Sequence, residues 1–435
     1  MDDAVVLVSK LNLPSSDWLV EDFLAPFSTN AENPIPQSKS EVSTKVIHRM
    51  NIAIIGGGIG GLATAIALLK HGFNVQVYER AQALRPIGAG LSLTPNGLNT
   101  LDAIHPGMVE LLKQAGSPLK TLTLKRSTGE TIASQQMTTM QQYGQPMLNI
   151  QWSRLQAILA SVLLPDIIHL NHRCIGFQQH ENSVETHFEN GKTVQSDLLI
   201  GADGINSVVR QKLIGDGSPI YAGRMSWRAV IQYPHELLSP ESATLITAPD
   251  GKNIFLIDVG DGYTFWSAGA LLTDDSVCQR ATDVKARVLE IFAEWTQPVE
   301  AIVKATPAED IVEGPICDRI PLPRWSSGRV TLLGDAAHPV VPSLGQGANS
   351  AFEDAYELAE CLSSAPSIQA ALEAYEHSRI PRLEAIYTQS AHQGKVSYKP
   401  DSETRFREMM KPSQMNPDEF QEWLYSYKPK PLKMC

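Results

Sequence analysis

The spacing of apolar residues changes period several times along the chain, and each change marks an element. Residues 51–55 are a short apolar run. Residues 59–71 carry apolar positions at helical spacing and close on Gly72, and 74–79 (NVQVYE) alternate. This predicts a strand, a helix ended by a left-handed glycine, and a second strand, a βαβ unit of about thirty residues. Further on, Ser153 with Gln156 three residues later predicts a capping box opening a helix over 153–164. Residues 184–188 and 193–196 flank Asn190-Gly191, the signature of a hairpin.

Between about 213 and 325 the pattern turns to alternating, aromatic-rich runs, at 225–233, 253–259 and 263–268, with one helical stretch near 283–295. Such runs predict an antiparallel sheet. Residues 329–333 (RVTLL) then return to a buried-strand pattern, followed by helices over 349–364 and 368–390. The fold class expected is α/β (α+β): a Rossmann-like dinucleotide-binding domain, an antiparallel-sheet substrate domain and C-terminal helices. The first domain is expected to be discontinuous, over 50–212 and 326–390, with the substrate domain at 213–325. Residues 1–49 have no apolar periodicity over 28–44 and read as a flexible extension without the layout of a signal peptide. Residues 391–435 read as a helical segment ending in a loose tail from Tyr427.

Composition narrows the partners. With 36 Lys and Arg against 47 Asp and Glu, the formal charge of −11 repels a polyanion, so a small molecule is expected and nucleic acid is not. The eighteen uncharged residues at 52–69 nearly reach membrane-spanning length. Five of them are glycines crowded into 56–61, which favours strand, turn and helix over a span. Five scattered cysteines, none in a CxxC pair, argue for a reducing, cytoplasmic compartment and against a disulfide framework, a structural metal or dithiol chemistry.

Three segments carry the chemistry. Gly56, Gly58 and Gly61 satisfy GxGxxG directly between strand and helix, where the glycines permit the turn, the close approach of a pyrophosphate and tight helix packing. Glu79 ends the second strand eighteen residues after Gly61, in place to accept hydrogen bonds from ribose hydroxyls, with Arg80 beside it. The alternative, a glycine turn that binds nothing beside an exposed strand-end acid, is disfavoured by the βαβ context. Residues 197–210 (DLLIGADGINSVVR) and 328–354 (GRVTLLGDAAHPVVPSLGQGANSAFED) each run from a buried strand into an acid, Asp203-Gly204 and Asp335, at the edge where α/β sheets bind ligands.

These three fingerprints, in this order, resemble the FAD-dependent aromatic hydroxylases of the para-hydroxybenzoate hydroxylase type, single-component flavoprotein monooxygenases, over roughly residues 50 to 390. The resemblance implies that the glycine turn and Glu79 hold the ADP part of FAD. It further implies that Asp203 and Gly204, closed by Arg210, serve the pyrophosphate and NADH or NADPH, and that Asp335 bonds the ribityl chain. Gly345, Gly347, Ala348 and Asn349 would then run beside the flavin ring. Arg154 resembles an arginine the family aims at the cofactor, and Gly90, in Gly88-Ala89-Gly90-Leu91-Ser92, a residue passing over it. The activity implied is hydroxylation of an aromatic or heteroaromatic small molecule with NAD(P)H and O2 through a flavin C4a-hydroperoxide.

For the substrate, Arg228 stands where several relatives place a functional arginine, and Arg224, Trp227 and Trp266 are expected to line the pocket. Ordinary sheet packing is the competing account of the aromatic residues. His338, in GDAAHP, reads as structural rather than as a base. Two other functions use the same fingerprints: epoxidation of an isoprenoid or polyene, and a non-catalytic flavin-binding sensor.

Overall fold

The computed structural model describes residues 50–84, 89–232, 238–272, 283–295, 299–397, 417–430 and 432. The extension at 1–49, Gly88 and the chain end at 433–435 lie outside the described residues. The βαβ unit is present: strand Asn51–Ile55, helix Ile59–Lys70 and strand Asn74–Tyr78, with Gly72 at φ +77°. Both strands belong to a six-stranded sheet whose order runs 326–327, 330–332, 198–201, 51–55, 74–78, 168–169. All its pairings are parallel except that of the first two strands. Helix Ile59–Lys70 is buried from Gly61 to Leu68. Alanines and glycines on that face let helix Gly347–Ser364 pack alongside, for Gly60 stands against Ala351. Among the described residues no helix is long and apolar enough to cross a membrane.

The second large sheet has seven strands in the order 312–318, 220–232, 263–271, 253–258, 242–247, 121–126, 131–136. Strands Thr121–Arg126 and Thr131–Gln136 come from within the range assigned by sequence to the first domain. Thr121–Arg126 pairs in parallel with Ser242–Thr247 over six residues. Thr121–Arg126 alternates only over Thr-Leu-Thr-Leu and is half-buried throughout, and Thr131–Gln136 (TIASQQ) is polar and exposed along its whole length, so neither carries the long apolar run of the other strands. On one face of this sheet Met225, Trp227, Ala229, Ile231, Trp266 and Ala268 form a core with helices Val284–Ile291 and Val299–Ala305. On the other face Ile257, Val259 and Phe265 form a smaller cluster that Val230 joins. Phe265 there lies against Gly90, so close that a Cβ on the glycine would stand 2.7 Å from it. That contact brings the seven-stranded sheet onto strand Gly90–Leu93 of the first unit.

Candidate active site

Parallel register delivers the three fingerprints to one edge. Ile55 pairs with Gly201 and Tyr78, and Gly201 with Leu332, so the strands end at one level. Gly56, Glu79, Asp203 and Asp335 therefore emerge side by side. Gly56 takes φ +113°, and a Cβ there would stand 2.3 Å from the Ala202 carbonyl oxygen. A Cβ on Gly61 would stand 2.1 Å from the Gly56 carbonyl oxygen, which makes this glycine the contact on which turn and helix close. Gly58, the N-cap of the helix, differs: a Cβ there would meet nothing within 4 Å. The turn is thus packed from behind and open in front, where helix N–H groups point outward.

Glu79 fixes the turn from the next strand, accepting hydrogen bonds from the Gly57 N–H at 2.7 Å and the Ala81 N–H at 2.8 Å. The carbonyl of the same residue is held too. Buried Gln156 donates from Nε2 to the Gly57 carbonyl at 2.6 Å. The expected capping box is corrected here: the helix runs Trp152–Ser161, its N-cap is Gln151, and no side chain caps it. Because Ser153 already lies inside the helix, Gln156 projects toward the glycine turn instead of back to its own first turn. Replacing Gln156 with Ala leaves the Gly57 carbonyl unpaired beside the turn. The expected loss is about 1–3 kcal/mol, roughly a fivefold to hundredfold rise in the dinucleotide dissociation constant measured by flavin fluorescence. Unchanged affinity would mean that the clamp is idle.

Arg154, two residues before Gln156, makes an ion pair with Asp261 at 2.6 Å, donates to the Ala115 carbonyl at 3.0 Å and lies 5.3 Å from the Tyr263 ring centroid. It ties the first unit to the turn between two strands of the second sheet. Arg80 is exposed at the strand end. Asp203 accepts from the Ser207 hydroxyl and from Val208 N at 2.7 Å, so its carboxylate caps helix Val208–Leu213, and Gly204 follows at φ +80°. Burial raises the Asp203 carboxyl above its ordinary range, against these hydrogen bonds. Arg210, fully buried, donates to the Ala337 carbonyl at 2.9 Å and pairs with Asp216 at 2.5 Å, tying this helix to the Asp335 turn.

Asp335 is exposed in the turn after the strand at 330–332, and the protein packed around its other sides raises its carboxyl while His338 opposes the rise. Gly345, at φ +63°, ends a short turn, and Gly347 and Ala348 open helix Gly347–Ser364. A Cβ on Gly347 would stand 3.7 Å from the Asp335 carboxylate, so this loop borders that acid. Buried Asn349 is a staple: its side chain donates to the carbonyls of Gly345 at 2.8 Å and Ser92 at 3.3 Å and accepts from Thr94 N at 3.0 Å. His338 is held structurally, with Nε2 donating to buried Asp354 at 2.5 Å and the ring packed on Trp325.

The chain matches the family model described as "FAD binding domain" over residues 49–390. It belongs to this FAD-binding family. It is 33% identical to the aurachin C monooxygenase/isomerase of Stigmatella aurantiaca, over 80% of this chain and 89% of the relative. It is 32% identical to the 6-hydroxynicotinate 3-monooxygenase of Pseudomonas fluorescens, over 77% and 89%. The crystal structure of Klebsiella pneumoniae HpxO complexed with FAD and uric acid superposes with a TM-score of 0.77 at 25% identity, covering 87% of this chain and 96% of that one. The protein is an FAD-dependent monooxygenase. The open front of the glycine turn at Gly58, an acid at the next strand end and a second, exposed acid in the turn after the strand at 330–332 fit an FAD laid along this edge.

The substrate candidates divide by strand parity, since neighbouring residues on a strand face opposite ways. Trp227 and Trp266 are corrected: both are fully buried in the far-side core, their indole N–H groups donating to Glu313 at 2.8 Å and Thr306 at 3.0 Å. Arg224 and Arg228 take the opposite face, the one that meets Gly90. Arg224 reaches across Gly269 to Asn253 at 2.7 Å, and burial pushes its guanidinium down to about 9. Arg228 is half-buried, and no described residue makes a hydrogen bond or ion pair with its guanidinium. Burial lowers its pKa as well.

Proposed function

We propose that this flavoprotein hydroxylates an aromatic or heteroaromatic small molecule bearing an anionic or carbonyl group, using NADH or NADPH and O2. The observation that carries this reading is Arg228, a half-buried guanidinium without a partner among the described residues, on the sheet face turned toward the flavin side. A buried cation is expensive to leave unpaired, and a carboxylate, phenolate or ring carbonyl would satisfy it. The relatives named for a hydroxynicotinate and for uric acid complexes point to the same ligand class. Gly56, Gly58, Gly61, Glu79 and Arg80 would hold the ADP part of FAD. Asp203 and Gly204 would border the pyrophosphate, with Arg154 and Gly90 nearby, Asp335 would face the ribityl chain, and the loop from Gly345 to Asn349 the ring. Bound there, the flavin supplies hydride acceptance and activation of O2. The chain orients the substrate against that ring and shields it from water. We also infer a cytoplasmic location, in keeping with the free thiols Cys174, Cys317 and Cys361.

Incubation with candidate hydroxylated carboxylates under isotopically labelled O2 tests the reaction, and one labelled oxygen on the ring is the expected result. Label in an epoxide would move the reading to the epoxidase, and flavin binding with no turnover on any candidate would make the protein a sensor. Arg228→Ala is expected to keep FAD while substrate-stimulated NAD(P)H oxidation falls by roughly ten- to a hundredfold, the loss of one charged hydrogen bond. Full stimulation in that variant would remove Arg228 from the substrate site.

A further inference from the structure

The chain beyond 416 reads as a helix and a loose tail, but its described part is packed. Phe420, Leu424 and Leu432 are buried in the main core, and Leu432 N–H donates to the Ala103 carbonyl at 2.9 Å. Trp423 and Tyr427 enclose the guanidinium of Arg382, whose Cζ lies 4.4 and 4.8 Å from the two ring centroids. Arg382 also donates to the Leu424 carbonyl at 3.0 Å. Tyr427 is anchored in turn by donating to Glu357 at 2.6 Å.

The remaining donors of Arg382 clasp Glu353, Nε to Oε2 at 2.6 Å and Nη2 to Oε1 at 2.9 Å. Glu353 is fully buried and accepts from Asn96 Nδ2 at 2.7 Å, and the same amide reaches Gln346 Oε1 at 3.0 Å. Gln346 Nε2 then donates to the Thr94 hydroxyl at 3.0 Å. A continuous hydrogen-bonded path therefore leads from the C-terminal segment through Arg382, Glu353 and Asn96 to a buried side chain between Gly345 and Gly347. We propose that residues 417–430 position the flavin loop: by walling in Arg382 they fix the fork that orients Glu353, and through Asn96 they fix Gln346. A planar fork held between two rings keeps one orientation, whereas the same guanidinium in water turns freely and leaves the carboxylate to Arg379 at one oxygen and Asn96 at the other, without the fork that sets its plane.

The inference rests on the proposal that 345–349 borders the flavin, and the experiment separates the two. In the full chain, Trp423→Ala/Tyr427→Ala, Arg382→Lys and Gln346→Ala are each expected to weaken FAD about tenfold and to shift the visible spectrum of bound flavin. Arg382→Lys keeps the charge and loses only the fork, so it reports on positioning even where the double variant folds poorly. Combining Arg382→Lys with Gln346→Ala is expected to add nothing, because both act along one path. Additive losses, or unchanged affinity and spectrum in Arg382→Lys, would overturn the inference. Gly347→Val is the control. Beyond its own turn, its Cβ would meet only the Asp335 carboxylate at 3.7 Å and Val340 at 3.9 Å, ordinary contact distances, so it should block flavin with little disturbance of the chain. FAD lost there but retained in the other variants would leave the loop assignment standing and sink the positioning role; FAD retained in Gly347→Val would sink both.

Discussion

Gly58→Val is expected to fold with an unchanged apoprotein unfolding midpoint and to bind FAD at least a hundredfold more weakly, a loss of about 2.7 kcal/mol or more. The reason is where the missing side chain would go. Gly58 has ordinary extended backbone, φ −73° and ψ 174°, which any residue adopts, and its Cβ would meet nothing within 4 Å. The valine therefore projects into the space in front of the helix N-terminus, where the open N–H groups and the partial positive charge would receive the pyrophosphate. Gly61→Ala provides the contrast. Its methyl would stand 2.1 Å from the Gly56 carbonyl oxygen, so turn and helix must separate, and the apoprotein is expected to lose about 1–3 kcal/mol along with its FAD. The comparison must use apoproteins, because bound FAD itself stabilises the fold. Equilibrium unfolding and flavin fluorescence on both variants give the four numbers. A Gly58→Val chain that retains FAD would show that the dinucleotide does not cross this turn.

The contrast also shows what could be read from sequence. The glycine turn, Glu79 and the acids Asp203 and Asp335 were legible because each is local: a strand ends, a special residue follows, and parallel register aligns the ends. Gln156 is visible in the sequence, but the helix is capped two residues earlier than the capping box places it, and this redirects the side chain from its own backbone to Gly57. Trp227 and Arg228 are neighbours in sequence and opposites in space, and only the packing of helices Val284–Ile291 and Val299–Ala305 decides which face is core. The path from Arg382 to Gln346 joins residues from four separate stretches, and no spacing announces such a network. The Pro- and Lys-rich stretch from Tyr427 reads as a loose tail, while the anchoring of this end depends on Phe420, Leu424 and Leu432 finding the main core.

The largest effect on stability is expected from Arg379→Met. Arg379 is almost wholly buried and donates to Asp354 at 2.8 Å, to Glu353 at 2.7 Å and to the Ser350 carbonyl at 3.3 Å. Breaking a buried ion pair from one side strands its partner, a loss of roughly 3–5 kcal/mol. Against a total stability of about 5–15 kcal/mol this takes a large share of the fold. The sign with pH follows from the acids. Burial alone would raise Glu353 and Asp354, but Arg379 and Arg382 hold Glu353 below its ordinary value, and His338 and Arg379 hold Asp354 below its own. In the parent protein their contribution is therefore complete above the unfolded values, about 4.3 for Glu and 3.9 for Asp, and is lost as pH falls through the lower folded ones. Without Arg379 the burial that raises Asp354 is opposed by one cation fewer, so its carboxylate is protonated more readily on acidification, which relieves the stranded charge. The deficit of the variant is accordingly expected to shrink between pH 7.5 and pH 5, where the parent changes little. Urea unfolding of both proteins at the two pH values measures it, and a deficit that stays constant would show that the stranded carboxylate finds another partner.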